Sequence, residues 1–297
     1  MADATLSQGN QLMKLILREQ DPRGFAQALL EDWGTVQAIG RGQLGKSTLK
    51  KAKGCPVNPY ANEKDGPVYT YPKGYKPNSV EEQVGVLLRH LNLLDISHVG
   101  GIVRWIGTVK GADGFYLVPK PTVMAERLGI DNHWDNFGLL TEQGPLTALG
   151  SQRAFTSWQD GAMGSNYYRL SESAKAALVK LEAGQPGDVL VVPAQTGKLF
   201  AGYSVRNSRW EIGHADGPAQ WPLPAYCLGW MLFANPHRLT KYEDLRIDCP
   251  GDEYRSGSSG KFCRTLYFYF ADDWLGCDNG WISDSHTIYG SASAFVG

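Results

Sequence analysis

Apolar positions fall at helical spacing in the first third of the chain. Leu12, Leu15 and Ile16 share one face of a helix that stops before Asp21-Pro22. Asp21 then caps a second helix, with Pro22 in its first turn, Phe25, Ala28 and Leu29 facing inward and Gly34 at its end. Residues 54–78 hold five prolines and three glycines and no helical period, so they read as an extended, irregular connection. Ser79 and Glu82 have the spacing of a capping box, and Val84, Leu87, Leu88 and Leu91 mark the buried face of a helix over about 80–94.

Shorter apolar runs follow. GGIVRWIGTV (100–109) and GFYLVP (114–119) read as a hairpin of two strands turning at 110–114. Residues 131–168 carry no assignable pattern. Ala174, Ala177, Leu178 and Leu181 recur at i, i+3, i+4 and i+7, which predicts a helix stopped by Gly184. Beyond it GDVLVVPA, KLFAGYSV, AYCLGWMLFA, DLRIDC, KFCRTLYFYF and AFVG read as six strands, and the unbroken run from Tyr226 to Ala234 suggests a strand buried on both faces. The expected class is α+β: a helical N-terminal region and linker over 1–78, then a mixed domain over 79–297 that is largely antiparallel and β-rich from about 186.

Composition sharpens this picture. The chain has 29 Lys plus Arg against 30 Asp plus Glu, so no net field draws it to nucleic acid or to an anionic membrane. The start MADATLSQGNQ lacks a basic, apolar secretory leader, and no apolar run reaches the roughly 18 residues of a membrane span. A soluble protein, cytoplasmic or assembled into a particle, is expected. Five cysteines (Cys55, Cys227, Cys249, Cys263 and Cys277) form neither a paired set nor a C-x-x-C motif, so buried, reduced thiols are expected before zinc. The 35 glycines, 9 tryptophans and 14 tyrosines favour turns between short strands and rings available for stacking.

Candidate chemistry begins at AIGRGQLGKSTLKK (38–51), where Gly40, Gly45, Lys46 and Ser47 fit the phosphate-loop pattern. A working loop needs a buried strand before it and a helix after it. Val36 and Ile39 make a poor strand, and Gly54 and Pro56 cut the helix short. A basic surface loop is the better reading, and nucleotide binding stands as a second alternative. The acidic stretch 248–254 offers Asp252 and Glu253 as acid and base of a hydrolase, provided the turn at Pro250-Gly251 overrides the tendency of adjacent strand residues to face opposite ways. Cys227 with His98, His214 or His237 is a further nucleophile and base pairing, although Cys227 sits in an apolar run where an inert thiol is expected. The fragments HVGGIV and PGDVLVV resemble strands of papain-like NlpC/P60 hydrolases, but in the reverse of the family's order. Asp272, Asp273, Asp278, Asn279 and Asp284 supply oxygen ligands without the spacing of a calcium loop.

The last 30 residues are the most distinctive. Their Trp, Tyr, Asp, Asn, Ser, His and Gly are the residues of paratopes and sugar-binding surfaces, where rigid rings combine with small hydrogen-bonding groups. In composition and position the tail is similar to the variable segment of C-type-lectin-fold proteins, but it lacks their G-G-x-W and Gly-Phe-Arg elements, so no family is assigned. The sequence therefore favours a non-enzymatic recognition or assembly protein, suited to a virion or appendage, that binds a partner protein or glycan. Its expected binding residues are Trp274, Asp278, Asn279, Trp281, Asp284, His286 and Tyr289. No cofactor is specified.

Overall fold

The computed structural model describes residues 57–296 apart from 93, 160, 215–218 and 256–259. The two N-terminal helices, the phosphate-loop pattern Gly40–Ser47 and Cys55 lie outside the described residues. From residue 58 onward the chain is α+β, with a β-rich C-terminal part built on one mixed sheet of ten strands.

Helix α1 (Val80–Leu91) begins where the capping box predicts it. The Glu82 amide donates to Ser79 Oγ at 3.2 Å, and Glu82 Oε2 accepts from the Ser79 amide at 2.7 Å. The segment read as a first hairpin strand is instead helix α2 (Val99–Ile106). Val99, Ile102, Val103 and Ile106 do recur at helical spacing, but β-branched residues and the pair Gly100-Gly101 mask the period. Strand β1 (Gly114–Pro119) forms as expected and leads into α3 (Pro121–Leu128). The unassigned stretch holds a helical run over 137–152. Helix α4 (Phe137–Thr141), a π-helical turn (Glu142–Leu146) and α5 (Thr147–Gln152) run on continuously, followed by β2 (Phe155–Ser157) and β3 (Tyr168–Leu170).

Helix α6 (Glu172–Gly184) follows its predicted pattern. The next two expected strands are one, β4 (Val189–Ala201). It pairs with β1 through its first half and with β10 (Tyr289–Phe295) through both halves. The bend between them falls at Gly197, whose φ of 121° favours glycine; a Cβ there would lie 2.9 Å from the Gly290 carbonyl oxygen. After α7 (Val205–His214) and β5 (Gln220–Pro222) comes the second correction. AYCLGWMLFA is helix α8 (Ala225–Ala234), buried along its whole length at the centre of the core. A helix surrounded by protein needs no polar face, so a continuous apolar run has no period to read.

The remaining strands are β6 (Arg246–Asp248), β7 (Asp252–Tyr254), β8 (Arg264–Ala271) and β9 (Trp274–Trp281). The sheet order is β1-β4-β10-β6-β8-β7-β3, with β9 on β8, β2 on β9 and β5 on β10. Most pairs are antiparallel; β10 with β6 and β2 with β9 are parallel. The irregular segment after residue 58 is stitched to this sheet. The Asp65 amide donates to the Gly202 carbonyl, and the Val68 and Tyr69 amides both donate to the Thr287 carbonyl. Among the described residues no helix is long and apolar enough to cross a membrane.

Candidate functional site

Strand β8 alternates strictly. Leu266 and Phe268 face the core and are fully buried, whereas Tyr267 and Tyr269 face the other way and are half-buried; Thr265, on that same side, is buried. Strand β9 pairs with it in register, so Gly280, Asp278, Gly276 and Trp274 lie opposite Thr265, Tyr267, Tyr269 and Ala271 on that same outward face. Asp272 and Asp273 close the hairpin with φ of 48° and 69°, the positive values that a two-residue turn of matching twist requires. This accounts for two of the carboxylates read as candidate calcium ligands. Among the described residues no group of three His, Cys, Asp or Glu is placed to hold a metal ion.

The loop from β9 to β10 forms a wall beside this face. It is held by the Arg206 amide donating to the Ile282 carbonyl, by Thr287 as above, and by Ser285 Oγ donating to Asp65 Oδ2 at 2.7 Å. Between the loop, the start of α7 and the strands lies a cavity of about 180 Å³. Five of the seven expected binding residues line it: Asn279, Trp281, Asp284, His286 and Tyr289. Asp278 lies just outside, with Oδ1 accepting from Gln159 Nε2 at 3.0 Å and Oδ2 from the Tyr267 hydroxyl at 3.4 Å. Trp274 sits at the far end of the hairpin against Tyr269 and Trp158.

Six lining residues were not anticipated as binders, Asp248, Arg264 and Tyr267 among them. The Arg264 guanidinium stacks over Trp281 with 4.4 Å to the ring centroid and donates from Nη1 to Asn279 Oδ1 at 2.7 Å, while its Nε makes no hydrogen bond among the described residues. Tyr267 packs edge-on to Tyr289 at 4.9 Å, and burial pushes its phenol well above the usual range. Asp248 is 6% exposed, and burial raises its carboxyl to about 7 against a smaller, lowering hydrogen bond from Ser291. The alternation of tyrosines in RTLYFYF was the available signal for Tyr267. Asp248 lay in the acidic stretch already singled out.

The other candidates separate in space. Asp252 is fully buried; its carboxylate accepts from the Tyr168 hydroxyl and from the Ala225 amide. Glu253 points to the opposite face and meets Arg169 at 2.6 Å on the surface. The turn at Pro250-Gly251 precedes β7 and does not bring the two carboxylates to one site. Cys227 is buried in α8 with its thiol pushed well up by burial. The rings of His98, His214 and His237 each bond a backbone carbonyl, those of Val189, Trp210 and Lys76. No family model, curated protein or solved structure matches this chain.

Proposed function

We propose that the chain is a non-enzymatic recognition protein that holds one sugar ring of a glycan in the cavity between the β9–β10 loop and the outward face of β6, β8 and β10. The observation that carries this reading is the convergence of Asn279, Trp281, Asp284, His286 and Tyr289 on a single cavity. A volume of about 180 Å³ lies below the roughly 300–1,000 Å³ of drug-sized sites, so it suits one ring and not a nucleotide. Trp281, 46% exposed and backed by Arg264, supplies a stacking face, and the carboxylates, amide, imidazole and phenols around it match the in-plane hydroxyls of a sugar.

Titration calorimetry against a monosaccharide panel tests this. Binding of at least one sugar, lost in Trp281→Ala while the unfolding midpoint stays within a few degrees, is the expected result. Failure of every sugar to bind sinks the reading. One observation favours a second reading, a glycan hydrolase: Asp248, held near pH 7 by burial, lines the same cavity as Asp284 and is placed to act as an acid. Release of reducing ends from a bound oligosaccharide, abolished by Asp248→Asn, would move the protein to that class.

A further inference from the structure

The cavity is one end of a longer aromatic surface. Along the outward face, Tyr267 contacts Tyr269 at 5.6 Å between ring centroids, Tyr269 contacts Trp274 at 5.4 Å, and Trp274 contacts Trp158 at 6.4 Å. The Trp158 indole also donates to the Tyr269 hydroxyl at 2.9 Å, and its ring is 61% exposed. Beside this row Arg246 lies 5.3 Å from the ring centroids of both Tyr269 and Tyr289 and 5.6 Å from that of Tyr242, and Nη1 donates to the Tyr289 hydroxyl.

Tyr269 and Trp274 are laid onto the sheet by Gly276, which pairs with Tyr269. A Cβ at Gly276 would lie 2.4 Å from Tyr269 Cε1 and 2.7 Å from Trp274 Cζ3, so only glycine leaves room for both rings. From Tyr267, which lines the cavity and pairs with Asp278, the hairpin carries this surface over the four residue steps to Trp274, about 13 Å at the rise of a β-strand, and Trp158 extends it. That length exceeds the single ring that fits the cavity.

Resting on the glycan reading above, we infer that the site binds a linear, uncharged oligosaccharide of several rings, seated with one end ring in the cavity and the rest stacked along Tyr269, Trp274 and Trp158. The charge pattern sets the class. Asp278 and Asp284 oppose a polyanion, and the guanidinium groups of Arg246 and Arg264 are engaged by Tyr289 and by Asn279 and the Trp281 ring. Successive rings meet at 45°, 72° and 64°, so a chain with few charges would meet ring faces and edges by turns along the row.

The test is calorimetry with linear glucose and N-acetylglucosamine oligosaccharides of one to six units, on the native protein and on Trp158→Ala, Trp158→Phe and Trp281→Ala. Affinity is expected to rise with chain length and then level off. Trp158→Ala should weaken the hexasaccharide about tenfold and leave the monosaccharide unchanged, with Trp158→Phe recovering most of the loss. Trp281→Ala should weaken both. Equal affinity for one unit and six, or an equal effect of Trp158→Ala on both, overturns the extended site and leaves the cavity as a one-ring site. Absence of binding at every length overturns both.

Discussion

Asp248 and Asp252 stand four residues apart, and burial raises both carboxyls to about 7, yet their surroundings differ. Asp252 is knitted into the core: the Tyr168 hydroxyl and the Ala225 amide donate to its carboxylate, and Arg209 donates to its own carbonyl. Asp248 has the Ser291 hydrogen bond and an open side toward the cavity. The same displacement thus belongs to a structural bracket in one case and to a candidate binding wall in the other. What separates them is whether the carboxyl's remaining hydrogen-bonding capacity is spent inside the protein or offered to a ligand.

The largest effect that sharpens this contrast is on pH dependence. Each folded-state value lies above the unfolded one, so each group's stabilising contribution is fully present below about pH 4 and is lost as the pH rises through about 7. Three units correspond to at most about 4 kcal/mol per group. Denaturant unfolding at pH 5 and pH 8 should show a native protein weaker at pH 8, and Asp248→Asn should flatten that difference. An unchanged slope in Asp248→Asn would mean that water reaches its carboxylate and that the two sites differ more than their burial implies.

Removing Asp252 outright comes next. Asp252→Ala leaves the Tyr168 hydroxyl and the Ala225 amide unpaired in the core and should cost on the order of 2–4 kcal/mol. Asp248→Ala, at the cavity, should cost about 1 kcal/mol or less and act on ligand affinity instead. Equal losses in the two variants would break the distinction. Gly276→Ala, which drives a methyl into Tyr269 and Trp274, should cost about 1–3 kcal/mol and weaken the longer oligosaccharides. The smallest effect is expected at Glu253, whose ion pair with Arg169 lies on the surface, with the arginine side chain 59% exposed. Glu253→Gln should shift stability by no more than about 0.5 kcal/mol by the same unfolding measurement.

Much of the cavity's lining was legible in the sequence, and for a local reason. Asn279, Trp281, Asp284, His286 and Tyr289 reach one cavity because they fall within eleven consecutive residues, on the end of one strand, its loop and the start of the next. Asp248 and Arg264 join them only through strand pairing, β6 beside β8 and β10 and Arg264 opposite Trp281. Nothing in a linear reading brings those positions together. The pair Asp252 and Glu253 shows the converse: they are adjacent in sequence, but the alternation of β7 sends one into the core and the other to the surface.

Sequence alone determined those elements whose signals are local: the capping box of α1, the periodic face and glycine stop of α6, the strand GFYLVP, and the polar-aromatic character of the C-terminal hairpin. Tertiary structure decided the rest. Helix α8 reads as a strand until it is seen enclosed on every side, since burial removes the polar face that would have shown its period. Two predicted strands become one because Gly197 and Gly290 let β4 and β10 approach through a bend. Which carboxyl lines a cavity and which braces the core was likewise set by pairing across the sheet, because burial and hydrogen-bond supply depend on neighbours far away in the chain.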